Sequence, residues 1–384
     1  MNSSERTINR RAFLATLAAA PVAFSALTPG VSIFAADGPP ASENCLDLAS
    51  VLSPIRERSN LPALAAAACK GGHVVAAGAV GVRKVGATAE VTVDDKFHIG
   101  SCTKAMTATL AAMYVEEKKL AWDRTLAEFF PERAAKMHED YRKVTLRMLL
   151  THRAGMPANS NDYGPSSALA TVQRLAYLDS IINAAPAHAP GTKFSYSNAG
   201  YIVTGTILER IAGISWEEIL QRRLFKPLGM TSTGFGPPSK PNATDQPWGH
   251  ILKDSKFQPR YGDNHRALGP AGTVHCSVRD YLKFADFHAS NGARPGGLLS
   301  PASFETLHTP AEGQDYAMGW GTAQRTWAQG TALTHNGSNT MNFFVVWIAP
   351  KSGFSIAVAS NAASDNVPKA LDDVAAALVK KFAA

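Results

Sequence analysis

The sequence has only four cysteines, Cys45, Cys69, Cys102 and Cys276, and none is paired as Cys-x-x-Cys. That excludes a zinc knuckle and a disulfide-dense scaffold; one bridge stays permitted in an oxidising compartment, but a chain of this size does not need it. Cys45 follows Ser42-Glu43-Asn44 rather than the small apolar run a lipid-attachment site requires. The eleven histidines include no His-Glu-x-x-His or His-x-His cluster, so a metallohydrolase is not indicated and no metal or organic cofactor is expected. Basic residues are scattered rather than clustered with aromatics, which argues against nucleic-acid binding and leaves open attraction to an anionic envelope or an acidic substrate. There is no internal repeat or low-complexity segment.

What is present begins with a hydrophobic content of 45% over 384 residues, enough for one large domain or two intimately packed lobes. Residues 1–36 read as a twin-arginine export signal. Asn9-Arg10-Arg11-Ala12-Phe13-Leu14 opens an Ala-rich run, Ala12 to Ala26, that contains no acid and is too short to span a membrane. Cleavage is expected between Ser25 and Asp37, with no sharp Ala-x-Ala site, so an uncleaved anchor stays open. Removing residues 1–36 lowers the formal charge from +7 to +5. The expected location is the periplasm or the medium, with no integral membrane span after cleavage. Residues 37–43 read as a linker and 44–384 as the folded domain, a monomer.

Within that domain Leu48, Val51, Leu52 and Ile55 mark one helix face, interrupted by Pro54. Gly71-Gly72 between two apolar runs reads as a hairpin. Phe97-His98-Ile99-Gly100 leads into Ser101, after which Met106, Leu110 and Met113 share one side of a helix running to about Glu117. Helical runs and Pro/Gly-rich loops, with little strand signal, fill 121–311. There Ser215-Trp216-Glu217-Glu218 reads as a capping box for a helix through Leu224, after Gly213 closes the preceding helix. Strand character returns at Gly319-Trp320-Gly321, Phe343 to Ile348 and Phe354 to Ser360, and Val367, Leu371, Val374 and Leu378 mark an amphipathic terminal helix. The expected fold is α/β: residues 44–120 and 312–384 form one antiparallel sheet flanked by the first and last helices, with a mostly helical lobe, 121–311, inserted. Ligand sites form in the cleft between such lobes.

Three short segments carry chemistry. Ser101-Cys102-Thr103-Lys104 is the only Ser-x-x-Lys in the chain, a pattern expected by chance roughly once in this length. At a helix N-terminus Ser101 is favoured as an oxyanion, and Lys104, one turn on, is placed as its base; the bland reading is an N-cap serine and a surface lysine. Cys102 is read as packing. Tyr196-Ser197-Asn198 adds a phenol that near cations can act as base and an amide that can hold Lys104 and a substrate carbonyl, against the bland reading of a core tyrosine and a capping asparagine. His335-Asn336-Gly337-Ser338 opens a strand whose Gly337 permits close approach and whose Ser338 N–H can serve as an oxyanion donor. Lys351-Ser352-Gly353 is chemically closer to the Lys-Thr-Gly of β-lactamases but sits in a tight turn after Pro350.

With these three triplets in order, the chain resembles the class C β-lactamase-like serine hydrolases, a group that includes D-Ala-D-Ala carboxypeptidases, D-aminopeptidases and family VIII esterases. The resemblance spans about residues 44–380 and extends to Leu149-Leu150-Thr151-His152-Arg153-Ala154-Gly155-Met156, Leu224-Phe225-Lys226-Pro227-Leu228-Gly229-Met230 and Gly269-Pro270-Ala271-Gly272. It implies a two-lobe penicillin-binding-protein-like fold and an acyl-enzyme on Ser101, with Lys104 and Tyr196 sharing the base role. Asn198 and His335 would contact substrate, together with Asn336, Gly337 and Ser338, and the Ser101 and Ser338 amides would form the oxyanion hole. The departure is His335, which stands where the lactamases carry a permanent cation, so esters or D-amino-acid peptides are expected ahead of β-lactams. The expected partner is a small-molecule or peptide substrate, peptidoglycan-derived peptides among them. The competing class is a non-catalytic envelope protein of the same fold that binds such peptides.

Overall fold

A computed structural model describes residues 41–160 and 162–383. The segment read as an export signal lies outside the described residues. A seven-stranded sheet is built from β1 (Ala41–Asp47), β2 (Ala63–Lys70), β3 (His73–Gly81), β9 (Gly321–Arg325), β10 (Gly330–Ser338), β11 (Phe343–Ala349) and β12 (Phe354–Ser360), in the order β1-β3-β2-β12-β11-β10-β9. Early and late strands meet where β2 pairs antiparallel with β12, Ala66 opposite Val358. All neighbours are antiparallel except the edge pair β1 and β3.

The sheet is buried on both faces, and period-two alternation divides its residues between two cores. In β2, Ala63, Ala65, Ala67 and Cys69 join one core while Leu64, Ala66 and Ala68 join the other. This explains why β2 reads as a continuous apolar run rather than an alternating one. On one face lie α1 (Ala49–Arg58) and α12 (Val367–Phe382), which bury Leu52 and Ile55, with Leu48 just ahead of α1, and Leu371, Val374 and Leu378. On the other lie α2 (Thr103–Glu116) and α10 (Val278–Ala289). Pro54 does not interrupt α1, which runs through it; that expectation is corrected. A proline near the middle of a ten-residue helix is tolerated here because the helix face around it is docked through Leu52 and Ile55.

Between α2 and α10 the chain forms α3 (Leu126–Phe129), α4 (Glu139–Arg142), α5 (Leu146–Leu150), α6 (Ala170–Ile182), α7 (Asn198–Ala212), α8 (Trp216–Leu220) and α9 (Gly269–Gly272), and α11 (Pro301–His308) follows α10. Gly213 closes α7 in the left-handed conformation, and the Ser215 hydroxyl accepts the Glu218 N–H at the start of α8. Buried Arg174 ties α6 to α7 and α8 by donating to Glu209 and Glu217. The scarcity of strand expected in this stretch is also corrected. It contains β5 (Gly234–Phe235), the hairpin β6 (Gly249–Lys253) and β7 (Lys256–Arg260), and β8 (Val274–Cys276), which pairs with β4 (Phe97–His98) and β5. These strands are two to five residues long, too short for a period-two signal to stand out. All four cysteines are free, and no helix among the described residues is long and apolar enough to cross a membrane.

Candidate active site

Ser101 sits in a single 3-10 turn, Gly100–Cys102, that runs directly into α2. α2 is apolar nearly all round and is the central buried helix, which places Lys104 at 0% exposure. The Lys104 ammonium has three acceptors: Asn198 Oδ1 at 2.7 Å, the Ala271 carbonyl at 2.9 Å and Ser101 Oγ at 3.0 Å. Burial drives its pKa from 10.5 down to about 7. In the neutral form the amine has two N–H groups and a lone pair. The two shorter contacts are to oxygens that can only accept, so the lone pair is left to Ser101, whose O–H then donates to Nζ.

Ala271 belongs to the segment Gly269-Pro270-Ala271-Gly272, and the structure gives that segment a reason. Thr107 of α2 donates to the Pro270 carbonyl at 2.7 Å, and a side chain at Gly205 of α7 would stand 2.1 Å from the Pro270 ring. The turn is thus wedged between α2 and α7, with one carbonyl on Lys104. Asn198 opens α7 behind the capping Ser197, and its amide nitrogen donates to Asn159 at 2.9 Å, which fixes Oδ1 toward Lys104.

The ring of Tyr196 lies 4.8 Å from Lys104 Nζ, with its hydroxyl toward Ser101. The residue is 38% exposed overall, but the hydroxyl end is enclosed, and burial raises its pKa above the ordinary 10. A phenolate is therefore disfavoured, and the readily accessible base is Lys104.

β9 pairs with β10 only as far as Thr334, so the free edge of His335–Ser338 lies against Ile99–Ser101. Gly337 is what allows that approach: a Cβ there would stand 1.9 Å from the Ile99 carbonyl oxygen and 2.8 Å from the Ser101 nitrogen. Gly100, at φ +49, faces the Ser338 nitrogen just as closely. The Ser101 and Ser338 amides are thereby brought close to one another.

His335 is 7% exposed and spoken for. Nδ1 lies 2.6 Å from the Asn336 carbonyl, which can only accept, so Nδ1 carries the proton; Nε2 then accepts from the Tyr316 hydroxyl at 3.1 Å. Burial, aided by the charge on Lys104, lowers its pKa to about 3, so the ring is neutral. Asn336 points outward and is exposed. Cys102 is fully buried, its thiol 3.4 Å from the His335 carbonyl, with a pKa raised by burial; it packs behind the site, away from Ser101.

Ser101, Lys104, Tyr196, Asn198, His335, Gly337 and Ser338 thus converge from elements scattered over more than 230 positions. Three participants escaped sequence reasoning: the Ala271 carbonyl, Tyr316 and His152, which packs against Tyr196. Lys351 lies with Pro350, Gly330 and Asp315 around a depression of about 860 Å³ beside β9 that includes none of the converging residues.

Comparison with known proteins places the chain among relatives. The chain is 29% identical over 294 residues to penicillin-binding protein 4 of Amycolatopsis lactamdurans, covering 74% of this chain and 76% of that one. It is 25% identical to the unguisins hydrolase ungD' of Aspergillus campestris, covering 82% of this chain and 61% of the relative. Among solved structures, the octameric penicillin-binding protein homologue from Pyrococcus abyssi superposes with a TM-score of 0.72 at 24% identity, covering 87% of this chain and 77% of that one. The D-amino acid amidase from Ochrobactrum anthropi SV3 gives 0.69 at 19%, covering 87% and 98%. The fold is shared with both. The family model for Beta-lactamase matches residues 48–381, a span that includes the segments of Ser101, Tyr196 and His335, and the chain belongs to the beta-lactamase family of serine hydrolases.

Proposed function

We propose that this protein hydrolyses an ester or amide bond through an acyl-Ser101 intermediate, and that it prefers substrates without a carboxylate to be recognised beside the scissile bond. The observation that carries the first part is Lys104: a fully buried amine with a lone pair directed at Ser101 Oγ 3.0 Å away. Lys104 takes the Ser101 proton as Oγ attacks the substrate carbonyl carbon. The resulting oxyanion sits between the Ser101 and Ser338 amides. Neutral Tyr196 passes the proton to the leaving group, whose bond to the acyl carbon breaks. A water molecule then attacks the ester, giving its proton back through the same groups, and Ser101 is restored. A protein that only bound peptides would gain nothing from burying an amine against a serine.

The substrate preference rests on His335. It is neutral and both ring nitrogens are engaged, so β10 presents no cation to a carboxylate. Small aryl esters and D-amino-acid amides or peptides fit that site better than cephalosporins. The fold shared with a D-amino acid amidase is in keeping with it. Export through the twin-arginine pathway, proposed from Asn9-Arg10-Arg11 and the apolar run after it, would place the enzyme outside the cytoplasm. The test is a panel of p-nitrophenyl esters, D-amino-acid p-nitroanilides and nitrocefin with wild type and Ser101→Ala. Ester or D-amide turnover that exceeds nitrocefin turnover and vanishes in the variant supports the proposal; activity retained in Ser101→Ala, or nitrocefin turned over far faster than the rest, defeats it.

A further inference from the structure

We propose that His152 is a positioning residue that clamps Tyr196 in the orientation needed to reach Ser101, an inference that rests on the proton-handling role proposed for Tyr196. His152 follows the end of α5 in the left-handed conformation, φ +56, and is 1% exposed. Its carbonyl accepts the Ser195 N–H at 2.8 Å, and its Nδ1 accepts the Ser197 N–H at 3.1 Å. The backbone on both sides of Tyr196 is therefore tied to one residue. The His152 ring also covers the Tyr196 ring, with centroids 4.3 Å apart and planes 37° from parallel. Tyr196 is open to solvent elsewhere, so this stack backs the buried side of the phenol.

The protonation state of His152 follows from the same contacts. Since Nδ1 accepts, the single proton is on Nε2, which is buried with no oxygen or nitrogen partner and is surrounded by the rings of Tyr196, Tyr201, Tyr316 and Phe194. A second proton on Nδ1 would point at the Ser197 N–H. The titratable groups that act on the ring from the neighbouring elements, Lys104 and His335, also oppose a positive charge there. His152 is thus a permanently neutral prop. It cannot serve as an acid or base in the working pH range, and the clamp assigns its effect to the orientation of Tyr196.

The left-handed backbone narrows the choice of replacement. Asparagine tolerates φ near +56, and its Oδ1 occupies the place of Nδ1, so His152→Asn keeps the bond to Ser197 and loses only the stack. Glutamine carries its oxygen one bond farther out and cannot make that bond in the same geometry. With p-nitrophenyl butyrate as probe, His152→Gln should lower kcat by about 10- to 100-fold with KM little changed, the size expected when a catalytic group is displaced by about 1 Å. His152→Asn should stay within about fivefold of wild type, and the rising limb of its pH profile should not move. In a Tyr196→Phe background His152→Gln should add less than about twofold, because the clamp then has no hydroxyl to hold. Equal losses in His152→Asn and His152→Gln, full additivity with Tyr196→Phe, or a pH limb that shifts in His152→Asn would each overturn the clamp. An unimpaired Tyr196→Phe would overturn both the clamp and the role of Tyr196, which separates that failure from failure of the clamp alone.

Discussion

The pH dependence of acylation follows quantitatively from the environment of Lys104. An ordinary lysine, with a pKa near 10.5, would leave a vanishing fraction of free amine at neutral pH, and the rate would rise about tenfold per pH unit up to pH 10. In this structure burial brings that value to about 7. The neutral amine is then about a tenth of the enzyme at pH 6, half at pH 7 and nine-tenths at pH 8, so the acylation rate should rise about tenfold from pH 6 to pH 8 and then level. The plateau should extend toward pH 10, because Tyr196 is pushed above its ordinary 10 and stays protonated across that range. The assay is the burst phase of p-nitrophenyl ester turnover in stopped flow, with buffers matched in ionic strength and background hydrolysis subtracted. Lys104→Arg, whose guanidinium stays protonated, should abolish the burst at every pH. A wild-type rate that continues to climb tenfold per unit between pH 8 and pH 10 would refute the assignment of a buried, depressed amine as the base.

Two substitutions separate neighbours of the site from its working parts. Cys102→Ala should keep kcat within about threefold of wild type while lowering stability by about 1 kcal/mol for the lost packing, read from urea unfolding; loss of turnover with stability unchanged would point instead to a catalytic thiol. Gly337→Ala forces a methyl against the Ile99 carbonyl and the Ser101 nitrogen, so kcat should fall at least about 100-fold, the cost of one misplaced oxyanion donor, and wild-type rates in this variant would show that this edge is not the oxyanion hole.

The parts of this molecule that were legible in the sequence are those governed by local periodicity or by close spacing along the chain. Lys104 is one helical turn from Ser101, so the i, i+3 relation alone brings them together, and the hairpin of β2 and β3 is announced by Gly71-Gly72. What was hidden depends on atoms that every residue has or on pairings across long stretches of chain. The third acceptor of Lys104 is a backbone carbonyl, at Ala271, and a residue of any type there would supply the same oxygen. Tyr316 reaches His335 only because the chain turns back through β9, and that pairing changes His335 from an open substrate contact to a sealed neutral ring. His152 stood in a segment noticed for its family likeness, yet its function depends on a left-handed backbone and on two amides 43 and 45 residues away. Pro54 misled for the opposite reason: local propensity favoured a break, and tertiary docking of α1 overrode it.

Covalent acylation of Ser101 can be read directly by intact-protein and peptide mass spectrometry. After incubation with a fluorophosphonate probe, and separately after acid quench during p-nitrophenyl ester turnover, the peptide containing Ser101 should carry the mass of the phosphonyl or acyl group at a stoichiometry near one. Ser101→Ala should carry none. Full turnover with no adduct on that peptide, or an adduct that persists in Ser101→Ala, would show that Ser101 is not the nucleophile.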